Sequence, residues 1–478
     1  MTATNRPLLD KLIEFNQKKT TSFHVPGHKH GMLSGMPIAI RSALSFDVTE
    51  LTGLDDLHEP SGVIKEAQER LSNLYKSDAS YFLVNGSTVG NLAMIYATCC
   101  TGDTVIVQRN AHKSIFNALE LIGAKPILLT PEWDEQVASI GVVSEDQIVR
   151  VLSLYPEAKA VVLTYPTYYG TTGEGLKAII SLCHTRGIPV LVDEAHGAHF
   201  VVGEPFPSSA LTLGADIVVH SAHKTLPAMT MGSFLHIKSS LVSQERVEKY
   251  LQMLQSSSPS YLLLASLDDA RAYAESFTQK DIEHFLKMRE TFIEQLKGIQ
   301  GLQIIPSDDP LKLMIRCEKY SGFRVLEALE KEGIYAELAD PYQVLFILPL
   351  LKVDHIYELD DIIYAMTRAV ASLHKSEKEK VFMQSTEMPN EITELCYNGS
   401  ELEQFQTDWL HYEEAIGKVA AGSIIPYPPG IPLLLVGERV CKAEIELLIG
   451  LTKMNAKFQG AIRPKEKKIL VVINEVGE

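Results

Sequence analysis

The feature of this sequence that most restricts its fold is a regular alternation of strand-like and helix-like segments between residues 46 and 270. Short β-branched runs such as Ala160–Thr164 and Ile188–Val192 alternate with segments such as Ser61–Lys76, which carry apolar residues at helical spacing. Repeated strand–helix units build a sheet of mainly parallel strands with helices on both faces. The predicted fold class is therefore α/β with a mainly parallel sheet.

Polar residues follow several of the predicted strands directly. In sheets of this kind, ligands bind outside the carboxyl ends of the strands. The residues at or just beyond those ends are Asn85, His112, Thr164, Asp193 and Lys224. Their convergence predicts one functional site at this edge of the sheet.

Lys224 lies in the segment His220–Gly232, between the strand-like segments Gly214–Val219 and Ser233–Ile237. Desolvation in such a short connection favours the neutral amine of a lysine, and a neutral amine can attack a carbonyl to form a Schiff base. The alternative is a structural lysine that pairs with a carboxylate. The local sequence does not separate the two.

A segment rich in glycine and hydroxyl groups, Asn85–Gly90, is predicted as a loop between the strand Tyr81–Val84 and a helix over Asn91–Cys100. Backbone N–H groups and hydroxyls at the start of a helix can bind phosphate, although a simple tight turn explains the segment as well. A phosphate site, a Schiff-base lysine and Asp193 at the end of an apolar strand together match the needs of pyridoxal phosphate. The carboxylate would keep the pyridine nitrogen of that cofactor protonated.

Histidines near these positions leave alternatives open. The ring of His112 can pack on the face of such a cofactor, or the residue can simply make a hydrogen bond at a helix end. A zinc site is the other alternative, because Asp193 and Glu194 lie near several histidines in sequence. The grouping of these polar residues around a single lysine is less typical of a zinc site, and no metal is predicted. The histidines concerned are His196, His199, His220 and His223.

Bulk composition excludes several classes of function. The chain has 478 residues, and its 44 basic against 60 acidic side chains give a net charge of −16, which suits neither nucleic acid nor an anionic membrane. Its six cysteines include no Cys-x-x-Cys pair, which indicates reduced thiols in a cytoplasmic protein. No apolar run approaches the ~20 residues of a spanning helix, and no signal-peptide pattern is present.

The change of pattern along the chain predicts four parts. A charged stretch, Lys375–Lys380, is interpreted as a boundary, although it can also be the end of a helix. The parts are an N-terminal arm over 1–45, a large domain over 46–270, a small α+β domain over 271–375 and a C-terminal α+β domain over 376–478.

Short motifs, in order along nearly the whole chain, resemble those of the Orn/Lys/Arg decarboxylase family. The resemblance implies pyridoxal-phosphate enzymes with the fold type I of aspartate aminotransferase, here in the shorter, Gram-positive form without an N-terminal wing domain. The large domain would bind the cofactor. The motifs are Phe23–Lys29, Glu50–His58, Phe82–Gly90, Arg109–Lys113, Pro166–Gly170, Asp193–His199, Ser221–Thr225 and Pro426–Pro432.

The resemblance also implies a role for each matched residue. Lys224 would hold the cofactor, Asp193 would pair with the pyridine nitrogen, and His112 would stack on the ring. His196 would lie on the substrate side. Ser256 would reach the phosphate of a neighbouring subunit, so a homodimer or higher homo-oligomer with the site at the subunit interface is expected. The residues expected around the phosphate are Gly86, Ser87, Thr88, Ser221 and His223.

The implied activity is decarboxylation of a basic amino acid, arginine or lysine first and ornithine next, to an amine and CO2 in polyamine metabolism. Another reaction of the same cofactor, such as transamination or elimination, and a non-catalytic regulator that keeps the fold are the alternatives. Many relatives have glutamine, threonine and glutamine at three positions where this chain has His220, Ala222 and Met231. These departures leave the substrate open.

The distal cation of a basic substrate needs a carboxylate partner in a partly dry pocket. The segment Gly53–Glu59 offers Asp55, Asp56 and Glu59, although the two aspartates can equally hold the loop itself. Glu438 in the C-terminal domain is the next candidate.

Overall fold

The computed structural model describes residues 5–18, 20–373, 390–427 and 430–474. Two compact units make up the chain: residues 1–98 with 180–278 form the first unit, and residues 99–179 with 279–478 form the second. The charged stretch Lys375–Lys380 and the domain boundary predicted there lie outside the described residues. In the part of the chain that is described, no helix is long and apolar enough to cross a membrane.

Helices occur throughout the chain, with short 3-10 turns at Ser42–Ser45 and Ala198–Val202. The α-helices are α1 Pro7–Gln17, α2 Ile38–Arg41, α3 Val63–Tyr75, α4 Gly86–Thr98, α5 Lys113–Ile122, α6 Glu145–Leu154, α7 Leu176–Thr185, α8 Ala210–Leu213, α9 Ala222–Thr225, α10 Gln244–Leu254, α11 Tyr261–Glu275, α12 Gln279–Lys297, α13 Gly322–Lys331, α14 Leu359–Leu373, α15 Gly399–Leu402 and α16 Lys442–Lys453.

The strands are short, as expected for an α/β protein. They are β1 Ala79–Leu83, β2 Thr104–Gln108, β3 Lys125–Leu129, β4 Trp133–Asp134, β5 Ser139–Ile140, β6 Ala160–Thr164, β7 Val190–Asp193, β8 Ile217–His220, β9 Ser233–Ile237, β10 Leu302–Ile305, β11 Lys312–Cys317, β12 Leu338–Ala339, β13 Val344–Ile347, β14 Ile392–Glu394, β15 Thr407–His411, β16 Ile424–Pro426, β17 Phe458–Gly460, β18 Ile462–Arg463 and β19 Lys468–Val472.

In the first unit, four strands lie in the order β1-β9-β8-β7. β7 and β8 are parallel, whereas β9 is antiparallel to both β8 and β1. Helix α4 packs closely on this sheet at Gly90, where an added Cβ would lie 2.7 Å from the side chains of Leu83 and Val219. Glycine at this position therefore lets the helix approach β1 and β8.

The predicted loop Asn85–Gly90 is wrong beyond its first residue, because α4 already begins at Gly86. Glycine, serine and threonine are weak helix formers, so propensity alone favoured a loop. Two tertiary contacts of the first turns override propensity: the close packing of Gly90 and the hydrogen bond that Ser221 donates to Ser87. The predicted phosphate-binding segment is thus a helical turn.

In the second unit, four strands lie in the order β6-β2-β3-β14. The first three are mutually parallel and β14 runs antiparallel to β3. A separate antiparallel sheet has the order β10-β11-β13-β12, and near the C-terminus β15, β19 and β18 form a third sheet. Residues such as Ile424, Leu448 and Val471 form the apolar core beside this third sheet.

Asp55 anchors the start of α3. Its carboxylate accepts hydrogen bonds from four backbone N–H groups, those of Ser61 at 2.9 Å, Gly62 at 2.8 Å, Ile64 at 2.9 Å and Lys65 at 3.2 Å. Burial alone would raise the pKa of Asp55, but these donors hold it below its ordinary value. The position at the positive end of the helix adds to this stabilisation. Asp55 therefore holds its own loop, which is the structural alternative noted above.

An Asp55→Asn variant is expected to be less stable than the wild type by about 1.5–3 kcal/mol, the range of hydrogen bonds to charged groups. The amide keeps one acceptor oxygen but turns an NH2 group toward backbone donors. Asp56→Asn is the matched control, because Asp56 accepts from the backbone N–H of His58 and does not contact α3 in this way. Urea denaturation measures both variants. Equal stability losses, or a raised KM with unchanged stability in Asp55→Asn, would contradict the structural role.

Candidate active site

Two neighbouring parallel strands bring the principal residues to one edge of the first unit's sheet. β7 ends at Asp193, which pairs with Val219 of β8. The ladder continues for one more bond, since the backbone N–H of Glu194 donates to the Val219 carbonyl at 2.9 Å. The one-turn helix α9 follows β8 and carries Lys224. Asp193 and Lys224 thus lie at the carboxyl ends of adjacent strands.

Asp193 is a buried carboxylate with neutral donors around it. Its side chain is 3% exposed. Oδ2 accepts from the side-chain amide of Asn91 at 2.9 Å, and Oδ1 accepts from the backbone N–H of Ala195 at 3.2 Å. Neutral donors fix the orientation of the carboxylate without cancelling its charge, so the site suits a cationic partner.

Asn91 is a site residue that the sequence reasoning missed. It is buried on α4 among Val89, Ala93 and Met94. A primary amide on an otherwise apolar helix face needs a hydrogen-bond partner when it is buried. That was the available signal, and Asp193 is the partner that the structure provides.

Lys224 is half-buried, and its Nζ atom lies 3.0 Å from Nε2 of His196. His196 is buried, with 5% of its surface exposed. At this distance the two nitrogens can share or exchange a proton. The hydroxyl of Thr225, the next residue, is buried and finds no hydrogen-bond partner among the described residues.

The first turn of α4 lies beside the segment that carries Lys224. Gly86 begins the helix with φ +77°, and an added Cβ there would meet no atom within 4 Å, so the space beside it is open. Ser87 and Thr88 follow in the first helical turn, where backbone N–H groups have no partner within the helix. The hydroxyl of Ser221 donates to Oγ of Ser87 at 2.8 Å. This is the geometry of an anion site at a helix N-terminus.

His223 and Ser256 complete the predicted set in the first unit. His223 is half-buried, and its ring Nδ1 and its backbone N–H lie 3.0 and 3.1 Å from the carbonyl oxygen of Gly232. Ser256 is exposed, and its backbone N–H donates to Oδ1 of Asn85 at 3.2 Å. Its carbonyl accepts from Nε2 of His58 at 2.8 Å. The Ser256 segment therefore adjoins the residue before α4.

His112 belongs to the second unit and caps a helix there. As the N-cap of α5, its ring Nδ1 accepts from the backbone N–H of Ser114 at 3.3 Å. Gly430 lies against the other side of the ring, where an added Cβ would be 3.3 Å from Nε2. The helix-end hydrogen bond is therefore present. Stacking of the ring on a cofactor stays a prediction.

Glu438 is the second candidate to bind the substrate's distal cation, but its carboxylate pairs with Arg109. It is 3% exposed and its Oε2 accepts from Nη2 of Arg109 at 2.8 Å. Arg109 also donates to the carbonyls of Pro432 and Leu433, both at 2.9 Å. This buried ion pair fixes the chain after β16 and occupies the carboxylate that a substrate cation would need. Pro428 and Pro429 of the predicted motif lie outside the described residues.

A second buried carboxylate, Glu444, lies near this ion pair. Burial and the neighbouring Glu438 raise the pKa of Glu444 to about 7, against the lowering effects of the Cys441 backbone and Arg109. The ordinary value is 4.5. Between these values the folded protein binds a proton that the unfolded chain does not, so its stability falls as pH rises from 4.5 through 7.

A Glu444→Gln variant should lack this loss of stability. The shift from 4.5 to about 7 corresponds to about 3 kcal/mol over the full interval. Urea denaturation at pH 5 and pH 8 should therefore show a larger decline for the wild type than for the variant. Glu446→Gln, on the same helix but half-buried, is the control and should decline like the wild type. Parallel declines in all three proteins would contradict the prediction.

Comparison with known proteins decides the family. The major-domain model of the Orn/Lys/Arg decarboxylases matches residues 6–313, and the C-terminal-domain model of the same family matches residues 374–462. The chain belongs to the Orn/Lys/Arg decarboxylase family. The resemblance predicted from the motifs is thereby confirmed.

Individual relatives of this Orn/Lys/Arg decarboxylase family member span nearly its whole length. It is 46% identical to the uncharacterized protein YaaO of Bacillus subtilis (strain 168), over 98% of this chain and 99% of the relative. It is 34% identical to an arginine decarboxylase of Halalkalibacterium halodurans, over 95% of each chain. The crystal structure of the lysine decarboxylase LdcF of Francisella novicida superposes with a TM-score of 0.80 at 18% identity, over 99% of this chain and 82% of that one. The predicted α/β fold with a mostly parallel central sheet is confirmed.

The histidines of this family member do not gather at one point. Nε2 of His196 faces Lys224, and the ring of His199 packs against Phe200 and Phe206. His220 hydrogen-bonds to Glu194, and His223 to the Gly232 carbonyl. In the described residues no group of three histidine, cysteine or acidic side chains is arranged to hold a metal ion.

Proposed function

We propose that this protein is a pyridoxal-phosphate-dependent decarboxylase of a basic amino acid, with arginine as the first substrate to test and lysine and ornithine next. The observation that carries the proposal is the placement of Lys224 and Asp193 at the ends of two adjacent parallel strands. Arginine comes first because an arginine decarboxylase is 34% identical over nearly the whole chain, whereas the lysine decarboxylase structure shares the fold at 18% identity.

The donor set of the first unit fits pyridoxal phosphate. Lys224 offers a half-buried primary amine, Asp193 a buried carboxylate held by neutral donors, and the first turn of α4 an open anion site. The residues that would surround the phosphate are Gly86, Ser87, Thr88, Ser221 and His223. His112 would stack on the ring, and Ser256 would reach a partner's phosphate. When bound, the cofactor supplies an electron-accepting ring that stabilises the negative charge left on the α-carbon by loss of CO2.

The chain's own residues would prepare this chemistry and complete it. Asp193, oriented by Asn91, would hold a positive charge at its carboxylate oxygens, where burial strengthens the attraction. The adjacent nitrogens of Lys224 and His196 can hold one proton between them and would return a proton to the substrate carbon. The proposal thus assigns charge stabilisation to Asp193 and proton transfer to the Lys224–His196 pair.

Product analysis tests the proposal. Purified protein supplied with pyridoxal phosphate is offered arginine, lysine and ornithine, and the amine and CO2 are measured. One amine per CO2 is expected, fastest from arginine. A keto acid product would favour transamination instead. No turnover of any basic amino acid, with cofactor bound, would favour a regulator that keeps the fold. We also propose that the protein acts in the cytoplasm, where its amine product would enter polyamine metabolism.

We also propose the division of the chain into four parts, with boundaries near residues 45, 270 and 375.

We further propose that the active protein is a homodimer or a higher homo-oligomer. Between α1 and α3 a series of large apolar side chains is exposed, and such patches mark protein interfaces. A second copy of this chain would cover them. The exposed side chains are Phe23, Val25, Met32, Leu33, Met36, Ile38 and Ile40.

Complementation tests whether the subunits share their sites. A Lys224→Ala protein mixed with a protein disabled at Ser256, for example Ser256→Trp, should regain activity through hybrid dimers. Each hybrid would contain one site with both residues intact. Subunit exchange is verified with two affinity tags. If tagged hybrids form and stay inactive, Ser256 acts within its own subunit.

A further inference from the structure

Four buried polar residues form a continuous hydrogen-bonded row across the sheet of the first unit. Ser80 pairs with His236 across β1 and β9, and His236 pairs with Val218 across β9 and β8. His220 lies two residues beyond Val218 and so points to the same face. Glu194 follows Asp193 by one residue and stands opposite His220. We call Ser80, His236, His220 and Glu194 the polar row.

The distances along the polar row are those of hydrogen bonds. Oγ of Ser80 lies 2.7 Å from Nδ1 of His236, and Nε2 of His236 lies 3.0 Å from Nδ1 of His220. Nε2 of His220 lies 2.8 Å from Oε1 of Glu194. The backbone N–H of Ala210 donates to the other carboxylate oxygen at 2.5 Å. At its outer end, Ser80 contacts the hydroxyl of Ser77 at 2.7 Å.

The opposite face of the same strands carries the candidate active site. Side chains alternate along a strand, so Asp193 and Ser221 point away from Glu194 and His220. Asp193 meets Asn91, and Ser221 meets Ser87, both on α4. Each of the two strand ends therefore presents one residue to the active site and its neighbour to the polar row.

Burial favours the neutral ring of His236 within the row. Glu194, His220 and His236 are fully buried, and burial together with His220 holds the pKa of His236 well below its ordinary value. The ring of Tyr75 stacks on His236 at 4.3 Å and donates its hydroxyl to the Ala198 carbonyl. A carboxylate accepts only, so a neutral His220 ring bonded to Glu194 donates from Nε2 and accepts at Nδ1. His236 must then donate from Nε2 and accept from Ser80.

We propose that Glu194 and His220 are positioning residues of the active site. Their hydrogen bond joins the ends of β7 and β8 on one face and thereby fixes Asp193, Ser221 and Lys224 on the other. His236 and Ser80 hold His220 in the tautomer that this bond requires. The inference rests on the proposed function only for its catalytic consequence, because the geometric part concerns the protein without substrate.

The chain offers a matched control for this pair. His184 Nε2 lies 2.8 Å from Oδ2 of Asp216, which also accepts from the backbone N–H of Val190. Asp216 thereby joins the start of β8 to the start of β7 at Val190, and His184, on α7, holds its carboxylate. A general loss of strand stability would follow from removing either pair. A loss of active-site geometry should follow only from removing the pair at Glu194.

The test uses the full-length protein with ¹⁵N-labelled histidine. In the wild type, both His220 and His236 should carry hydrogen on Nε2 alone. In His220→Leu, the His196 resonance should shift because its contact with Lys224 changes, and kcat should fall by about 10²-fold with little change in KM, the scale of a 1 Å misplacement. His220→Gln keeps one donor and one acceptor and should restore both readouts. His184→Leu, which removes the control pair, should leave the His196 resonance and kcat unchanged.

Three results would overturn the inference: hydrogen on Nδ1 of His220 in the wild type, an unshifted His196 resonance in folded His220→Leu, or equal effects of His184→Leu. If His220→Leu does not fold, Ser80→Ala replaces it, since it removes the donor to His236 and should release the tautomers of both rings. The nuclear magnetic resonance spectra of the labelled histidines can be recorded without any enzymatic turnover. A wild type without decarboxylase activity would therefore refute the proposed function while the tautomers and the His196 shift still decide the positioning role.

Discussion

Lys224→Ala is expected to abolish decarboxylation of every basic amino acid. The substitution removes the primary amine that is proposed to hold the cofactor, and the neighbouring His196 imidazole cannot replace it. In enzymes that lose such a nucleophile, only binding and charge stabilisation remain, so a fall in kcat on the order of 10³-fold or more is expected. Amine release and CO2 release measure the loss. Lys238→Ala, at an exposed lysine after β9, is the control and should keep its activity.

Lys224 should also be the point at which the cofactor is attached. Borohydride treatment of the wild type supplied with pyridoxal phosphate should attach the cofactor covalently to the peptide that contains Lys224, and this attached cofactor is the label. The Lys224→Ala protein should remain unlabelled and should keep the wild-type unfolding midpoint, because a half-buried lysine contributes little to the core. Label on another lysine, or full activity of the variant, would refute the assignment.

The positions of the strands could be predicted from sequence because their apolar runs are buried on both faces. β7 and β8 are buried along their whole length, and their β-branched residues predict buried strands. The start of α4 could not be predicted in this way. The packing of Gly90 on the sheet and the hydrogen bond between Ser87 and Ser221 join residues far apart in the chain, and no local propensity records them.

The residues of the candidate site also differ in how well they could be predicted from local sequence. Asp193 and Lys224 were found because they follow apolar strands, a local pattern. The polar row was not found, although His220 and His236 are visible in the sequence, because its members come from four strand segments and meet only when those segments pair. The role of Asp55 was left open for a similar reason, since its partners at Ser61–Lys65 depend on how the loop returns to α3.

Asp193→Asn should lose most of its activity and still bind the cofactor. The amide has nearly the same shape, so the hydrogen bond from Asn91 can persist with the amide oxygen as acceptor. What is lost is the negative charge, which a buried cationic partner needs. Removing one partner of a buried charge pair costs about 3–5 kcal/mol, which corresponds to a roughly 10²- to 10⁴-fold fall in kcat.

Comparison with a second buried aspartate separates charge from stability. Asp216 lies at the opposite end of the same strands, 1% exposed, so Asp216→Asn tests the general cost of neutralising a buried carboxylate there. It should lower the unfolding midpoint, because it weakens the bond to His184, and leave the kcat of the folded enzyme unchanged. Asp193→Asn should lower kcat and leave the unfolding midpoint nearly unchanged. Asn91→Ala should fall between wild type and Asp193→Asn, since it frees the carboxylate to rotate without removing its charge. Near-normal kcat in Asp193→Asn would mean that another group supplies the charge.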